Sequence, residues 1–337
     1  MPIPFVFIAL GAGAAAVGVG KGVKAGIDQK DANETNKYAQ SIVERATNTA
    51  MKSRENSIQA IEDLGRKKVW ILDNSIRSFT CLFEKIHDVE LKESPGLDEL
   101  KKFHIDKQAF SELRQMSTMA SSIAGGLAGG AAAGALAAIG AYGGAMTFGM
   151  CATTGTAIGT LSGVAATNAT LAFLGGGALS VGGLGMAGGT MVLGGLVAGP
   201  ALAIMGFVVG SKASANKDAA YSNLAEAHRY EEEVKNVQIV CKAIRMRANM
   251  FERLLIRLDA IFEPLVESLA KVIQTSGTDF SQYNREEKAV LAANLSLVKA
   301  IKAILDTPIL TKDGDLTEES EEIIKPIQEI IDNHATA

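Results

Sequence analysis

Two glycines, a serine and a lysine meet in Gly206, Phe207, Val208, Val209, Gly210, Ser211, Lys212, the residue types with which a loop cradles a nucleotide phosphate. The order is wrong for that chemistry: a phosphate loop needs its Lys before Ser or Thr and a strand ahead of it, whereas Lys212 follows Ser211 and no strand precedes it. Gly182, Gly183 and Gly185 are dense enough for a dinucleotide turn but stand in no strand–helix–strand setting. Asp313, Gly314 and Asp315 share composition with a calcium loop but lack its alternating oxygen ligands and its twelfth-position Glu, so they read as a turn. His87, His104, His228 and His334 have no paired spacing and no HExxH. Cys81, Cys151 and Cys241 are too far apart for a metal cluster or a disulfide framework, and reduced thiols facing a cytosol are the expectation. The runs Glu231 to Glu233 and Glu318, Glu319, Glu321, Glu322 read as solvated helix faces. With no acid/base pair, nucleophile or metal constellation, no catalytic residue, cofactor, metal or small-molecule substrate is assigned, and an enzyme is not expected.

What the chain has instead of reactive groups is an uneven distribution of charge. Its 337 residues carry 33 Lys+Arg against 37 Asp+Glu, a net charge of -4, which offers no basic footprint for nucleic acid. From 115 to 211, however, 97 consecutive residues hold no Asp, Glu, Lys, Arg or His, and 25 of the 35 glycines fall there. All 70 charged residues occupy the other 240, about 29% of that portion. The first twenty residues also lack charge, and the first cations, Lys21 and Lys24, come after them. A cleaved secretion signal needs its positive region first, so cleavage is not expected, and this segment is read as a retained apolar anchor or a helix packed on the uncharged region.

The charged parts follow a helical grammar. Val69, Leu72, Ile76, Phe79, Phe83 and Ile86 recur at alternating steps of three and four, a heptad seam that predicts a long helix from about Ile27 to Glu90 packed lengthwise on a partner. Gly65 costs such a helix about 1 kcal/mol relative to Ala and marks a bend at most. After the uncharged stretch the same pattern returns without a break through Val237, Cys241, Ile244, Ala248, Phe251, Leu255, Leu258, Phe262, Leu265, Leu269 and Val272. That predicts a helix from about Ala213 to Thr275, with Pro264 as a candidate kink. Trp70, the only Trp, is read as a packing anchor beside the seam. Ser276 and Gly277 end the second long helix, a shorter one follows from about Asn284 to Leu305, and Thr317 has the chemistry to cap a last one through Ile331. Nothing reads as a multi-stranded sheet. The matched seams suggest an antiparallel stalk with the uncharged insert at one end.

Ninety-seven residues would make about 145 Å of helix, and a bilayer crossing takes about 20 residues, so the insert is long enough for two to four crossings. An even number would leave Arg114, Lys212 and Lys217 on one side, which the positive-inside tendency makes cytoplasmic. Small residues every fourth position provide the packing logic. Gly126, Gly130 and Gly134 form one stripe and Gly155, Gly159 and Gly163 another, with shorter pairs at Gly140 and Gly144, and at Gly195 and Gly199. Such stripes let helix backbones approach closely, which is the main driving force for helix association in lipid. The same Gly/Ala richness makes the stretch only marginally apolar for a span, and a tightly packed hairpin inside a soluble bundle is the rival expectation.

The string TGTAIGTLSGVAATNATLAFLGGGALSVGGLGMAGGTMVLGGLVAGPALAIMGF, Thr154 to Phe207, resembles a family of uncharacterised bacterial glycine-rich helical proteins. MPIPFVFIALGAG with GVKAGID, FEKIHDVELKESPGLDELKKF, and DTPILTKDGDLTEES resemble the same family, so the likeness covers nearly the whole chain, though it implies no established activity. In architecture alone, a glycine-rich apolar hairpin between amphipathic helices is similar to the apolipoprotein L family, which implies membrane association and channel formation and transfers no residue.

The expectation is therefore an all-α protein in five parts. These are an apolar N-terminal segment (1–26), a helical stalk (27–114), a glycine-zipper region (115–211), a second stalk helix (212–276) and a small helical C-terminal region (277–337). Its expected work is membrane association, with pore formation or membrane perturbation after self-assembly through the glycine stripes. The expected partners are a lipid bilayer and further copies of the chain, with no nucleic acid, and the stalk and termini lie in the cytoplasm. The seam residues Val69, Leu72, Ile76, Phe79, Phe83, Phe251, Leu255, Leu258 and Phe262 would hold the stalk together. The alternative is a soluble helical scaffold in which the glycine-rich hairpin is only a buried core.

Overall fold

A heptad-spaced apolar stripe is stable as helix only where another element covers it. The computed structural model describes residues 22–87, 107–126, 136, 139–141, 217–311 and 315–335. The described chain is helical almost throughout, and its isolated bridges join His87 to Asp279 and Leu310 to Leu316. The protein is all-α.

Helix α1 spans Gly22–Ile71 and passes through Gly65. It continues as a π-helical turn, Leu72–Ile76, and then as α2, Arg77–Phe83. Helix α3 is Lys107–Gly126, and Leu136 and Ile139 to Ala141 are also helical. Helix α4, Lys217–Ser276, runs through Pro264. It stops where Gly277 takes a φ of 80°, a left-handed conformation that costs glycine nothing, with its N–H donating to the Ile273 carbonyl at 3.1 Å. Helix α5, Arg285–Asp306, begins with a reciprocal cap: the Glu287 N–H donates to Asn284 Oδ1 (2.9 Å) and the Asn284 N–H to Glu287 Oε2 (2.8 Å). A single turn, α6 (Glu319–Glu322), and α7 (Ile324–Ala335) complete the described helices.

The chain divides into two compact units. Of the described residues, the first holds 22–46 and 217–232 and the second the rest. In the first unit Ala32, Ala39 and Ala46 recur every seventh residue along α1, and Ala220 and Ala227 do so along α4; all are buried. Asn223 Nδ2 donates to Asn36 Oδ1 at 3.0 Å. Alanine at a repeating seam position is small enough for close helix approach.

The second unit has the large core. Phe251, Leu255, Leu258 and Phe262 of α4 are fully buried, as are Leu72, Ile76 and Phe79, with Val69 nearly so and Phe83 half-buried against them. The Phe79 ring lies 5.8 Å from Phe262 and 5.5 Å from Phe83, and Phe83 lies 5.0 Å from Phe110 of α3.

The direction of packing corrects the expected antiparallel stalk. Within this unit Ser57 bonds to Cys241, Ser75 to Asp259, Phe79 meets Phe262, and the His87 N–H donates to Thr278 O, so partners advance together along both helices. The helices run in the same sense. Antiparallel neighbours come from short connections, and the 129 residues between His87 and Lys217 are long enough for the chain to return before α4 begins. Helix α3 starts that return: Phe110 meets Phe83, Arg114 pairs with Glu84 at 2.7 Å, and Ser121 bonds to Asp73. The start of the uncharged stretch thus lies along the charged helix, where the sequence suggested a position at one end.

Two further corrections concern the α1 region. The seam predicts a regular helix to about Glu90, but a π-turn interrupts it at Leu72–Ile76 and the last helical residue is Phe83. The widened turn carries Ser75, whose hydroxyl donates to the buried Asp259 carboxylate at 2.6 Å, and α3 packs against it. Trp70 is no buried anchor: it is 44% exposed, with the Lys67 ammonium 4.1 Å from its ring centroid.

Candidate functional site

A close backbone approach joins the charged and uncharged parts of the chain. A Cβ placed on Gly65 would fall 1.9 Å from the Leu136 carbonyl oxygen, and one on Gly140 would fall 2.1 Å from the Ile61 carbonyl oxygen. Ile61 and Gly65 are four apart, as are Leu136 and Gly140, so the two contacts are reciprocal and the segments cross in opposite senses. Only glycine permits this separation. Leu136, Ile139 and Ala141 are buried in the same core as Leu64 and Leu72.

One turn beyond the crossing sits Lys68, fully buried. Its ammonium donates to the Ile139 carbonyl at 3.2 Å and lies 3.5 Å from that of Gly140. The next carbonyl, Ala141, accepts the N–H groups of Ile309 (2.7 Å) and Leu310 (3.1 Å). Three consecutive carbonyls of the docked segment are therefore held by donors from elsewhere in the chain. Burial pushes the Lys68 amine down to about 7, and the Asp306 carboxylate opposes the change without cancelling it. Asp306 also pairs with Lys302, which reaches Glu112 of α3 at 3.1 Å. Burial alone would lower the Lys302 amine, but the two carboxylates outweigh it and hold it above its ordinary value. Asp306 Oδ1 is buried and accepts no hydrogen bond among the described residues.

A second polar cluster joins α1 and the π-turn to α4. Asp259 of α4, 5% exposed, accepts from Ser75 Oγ and from Lys67 Nζ at 3.2 Å. Removing the carboxylate in Asp259→Ala leaves the buried Ser75 hydroxyl unpaired, while Lys67 can turn to solvent. Loss of about 2 kcal/mol is expected, the range for an orphaned buried hydroxyl and a partly exposed ion pair. Because Lys67 covers the only Trp, the variant should also shift Trp70 emission; an unchanged spectrum and midpoint would remove this cluster from the core.

Of the residues singled out from sequence, Gly126 lies in α3, and Gly130, Gly134, Gly155, Gly159, Gly163, Gly195 and Gly199 lie outside the described residues. So do Cys151, His104, Asp313, Gly314 and the glycine-serine-lysine string at 206–212. Cys81 and Cys241 are free thiols, and burial raises the latter's pKa. Gly140 was visible only as half of a short glycine pair, and Gly65 only as a bend. Lys68 carried a legible signal, since Ile61, Leu64, Lys68 and Leu72 occupy one helix face and a lysine interrupts an apolar stripe. The identity of its acceptors, seventy residues away, had no local trace. No group of three or more His, Cys, Asp or Glu among the described residues is placed to hold a metal ion.

Fold and site together define the class: an all-α protein whose charged helices clasp a piece of uncharged, glycine-rich chain. No family model matches the sequence, no curated protein is significantly similar to it, and no solved structure matches it.

Proposed function

We propose that the protein associates with membranes through its uncharged glycine-rich region, assembling through the glycine stripes, and that the described arrangement is the form in which the start of that region is stored. The supporting observation is the nature of the clasp. Leu136 and Ile139 to Ala141 are held by two backbone-to-backbone glycine contacts and by a buried amine that resists carrying its charge, which makes a marginal dock and not an optimised core. The sequence supplies the other half: 97 residues without a charge. No helix among the described residues is long and apolar enough to cross a membrane, so any spanning helix must come from outside them. This reading places the charged helices on the cytoplasmic side. No catalytic role is proposed.

The burial of Leu136, Ile139 and Ala141 favours a second reading, a soluble helical scaffold in which the stretch is core and nothing more. Fractionation of the expressed full chain separates the two. Recovery in a membrane fraction released only by detergent, with dye release from liposomes, supports the first; a fully soluble chain inert towards liposomes supports the second. If glycine stripes drive assembly, Gly130→Leu and Gly159→Leu should each abolish oligomers on membranes while far-ultraviolet helicity stays near wild type. Equal membrane activity in both variants removes the stripes from the mechanism.

A further inference from the structure

The long helix α4 has a second face that the core does not use. Counting outward from the buried seam, Ile239, Lys242, Met246, Met250 and Arg253 recur at steps of three and four on the opposite side, about 21 Å of helix at 1.5 Å per residue. Ile239 is 66% exposed, Met246 56% and Met250 40%, large apolar side chains left in water within a well-packed unit. The segment is also strongly basic. From 234 to 258 there are six Lys and Arg and one acid, Glu252, in a chain whose net charge is -4. Helices α6 and α7 occupy the neighbouring side, where Arg247 pairs with Glu321 of α6 (3.0 Å) and Arg257 with Asp332 of α7 (3.1 Å), and Ile239, Met246 and Met250 stay exposed beside them. Lys242 and Arg253 are exposed and form no ion pair among the described residues.

We infer that this face docks on an anionic lipid surface. Alternating cations and exposed aliphatic side chains are what such a surface rewards: the cations meet headgroup phosphates and carboxylates while the methionines and isoleucine enter the boundary below them. A nucleic acid would reward the cations only, and three exposed aliphatic residues between them would gain nothing from a phosphate backbone. The inference rests on the membrane reading and sharpens it, naming the face that lands first and the charge of the lipid it lands on. It does not involve the glycine stripes, so the two can fail separately.

The test is flotation of the full chain with vesicles of phosphatidylcholine alone and with about one-third phosphatidylserine, at low and high salt. Wild type should float with the anionic vesicles and lose them as salt rises. Each basic residue at such a surface is worth about fivefold in partition, so Lys242→Glu with Arg253→Glu should lower binding at least about thirtyfold. Met246→Ser with Met250→Ser should weaken it while leaving the salt dependence in place. Should the charge reversal lower the melting midpoint, Lys242→Gln with Arg253→Gln is used instead, with a loss of about thirtyfold still expected from the two neutralised cations. Equal wild-type and variant flotation with both lipids overturns the stripe but keeps the membrane reading. Failure of wild type to float with either lipid ends both. Salt-sensitive retention of duplex DNA or RNA without vesicle binding also overturns the proposal, in favour of a nucleic-acid face.

Discussion

Gly65→Ala is expected to destabilise the protein by about 3 kcal/mol, a change opposite in sign to what the same substitution does in an isolated helix. Alanine is favoured over glycine inside a helix by about 1 kcal/mol, so propensity alone makes the variant the more stable one. The added methyl, however, would lie 1.9 Å from the Leu136 oxygen and 2.7 Å from its carbonyl carbon. Carbon and carbonyl oxygen settle at about 3.3–3.6 Å even when they attract, so the helices must separate by more than 1 Å. The obstructing atoms are backbone, and no rotamer change relieves them. Overpacking of this kind usually costs 1–3 kcal/mol, and here it also loosens Leu136, Ile139 and the Lys68 bonds. Denaturant unfolding should show a lower midpoint with an unchanged slope. Gly140→Ala should behave alike, and the double variant should cost less than the sum, because the first methyl already parts the helices. A Gly65→Ala protein as stable as wild type, or more so, would mean that the two segments do not meet in solution.

The second large effect is a pH dependence belonging to Lys68. Its amine titrates at about 7 in the folded chain against 10.5 when unfolded. Between those values the unfolded chain holds the extra proton, so stability increases with pH, by about 1.4 kcal/mol per pH unit. Below about pH 7 both states carry the charge and the dependence flattens, with a penalty on the order of 5 kcal/mol fully in force. Lys68 dominates the window from pH 7 to 9, and Cys241 works against it only near the upper end, where the unfolded thiol ionises before the buried one. The lowered carboxylates Asp279 and Glu287 and the raised Glu62 titrate at acid pH, while Cys241, Tyr283 and Lys302 are raised from 9.0, 10.0 and 10.5. Wild type should therefore gain about 2 kcal/mol across the window, and Lys68→Met should gain none. A flat wild-type profile would place the amine in water. Asp306 and Lys302 face the site from α5 and Glu112 from α3, and Asp306→Asn should depress the Lys68 amine further and make the rise begin at lower pH.

Helix content, seam residues and caps were legible because each is a local property. The spacing of Phe251, Leu255, Leu258 and Phe262 requires a partner on one face whatever that partner is, and all four are fully buried. Gly277 at a positive φ and the Asn284 and Glu287 cap follow from chemistry within a few residues. The π-turn was not legible, because it depends on an Asp259 that is 184 positions from Ser75. Trp70 was misplaced for a related reason: a residue next to a seam turns inward or outward according to what packs there, and Lys67 covers it from outside.

By itself, then, the amino-acid order determined an all-α chain with two apolar seams and a long uncharged interval, since periodicity and charge need no knowledge of what lies opposite. Only the tertiary structure decided that the seams run in the same sense, that the uncharged interval begins by lying back along α1, and that Gly65, Gly140 and Lys68 form one clasp. A helix face states what it must bury but not in which direction its partner travels. Pairwise backbone contacts between residues seventy apart are set by that direction and by the space that two glycines leave.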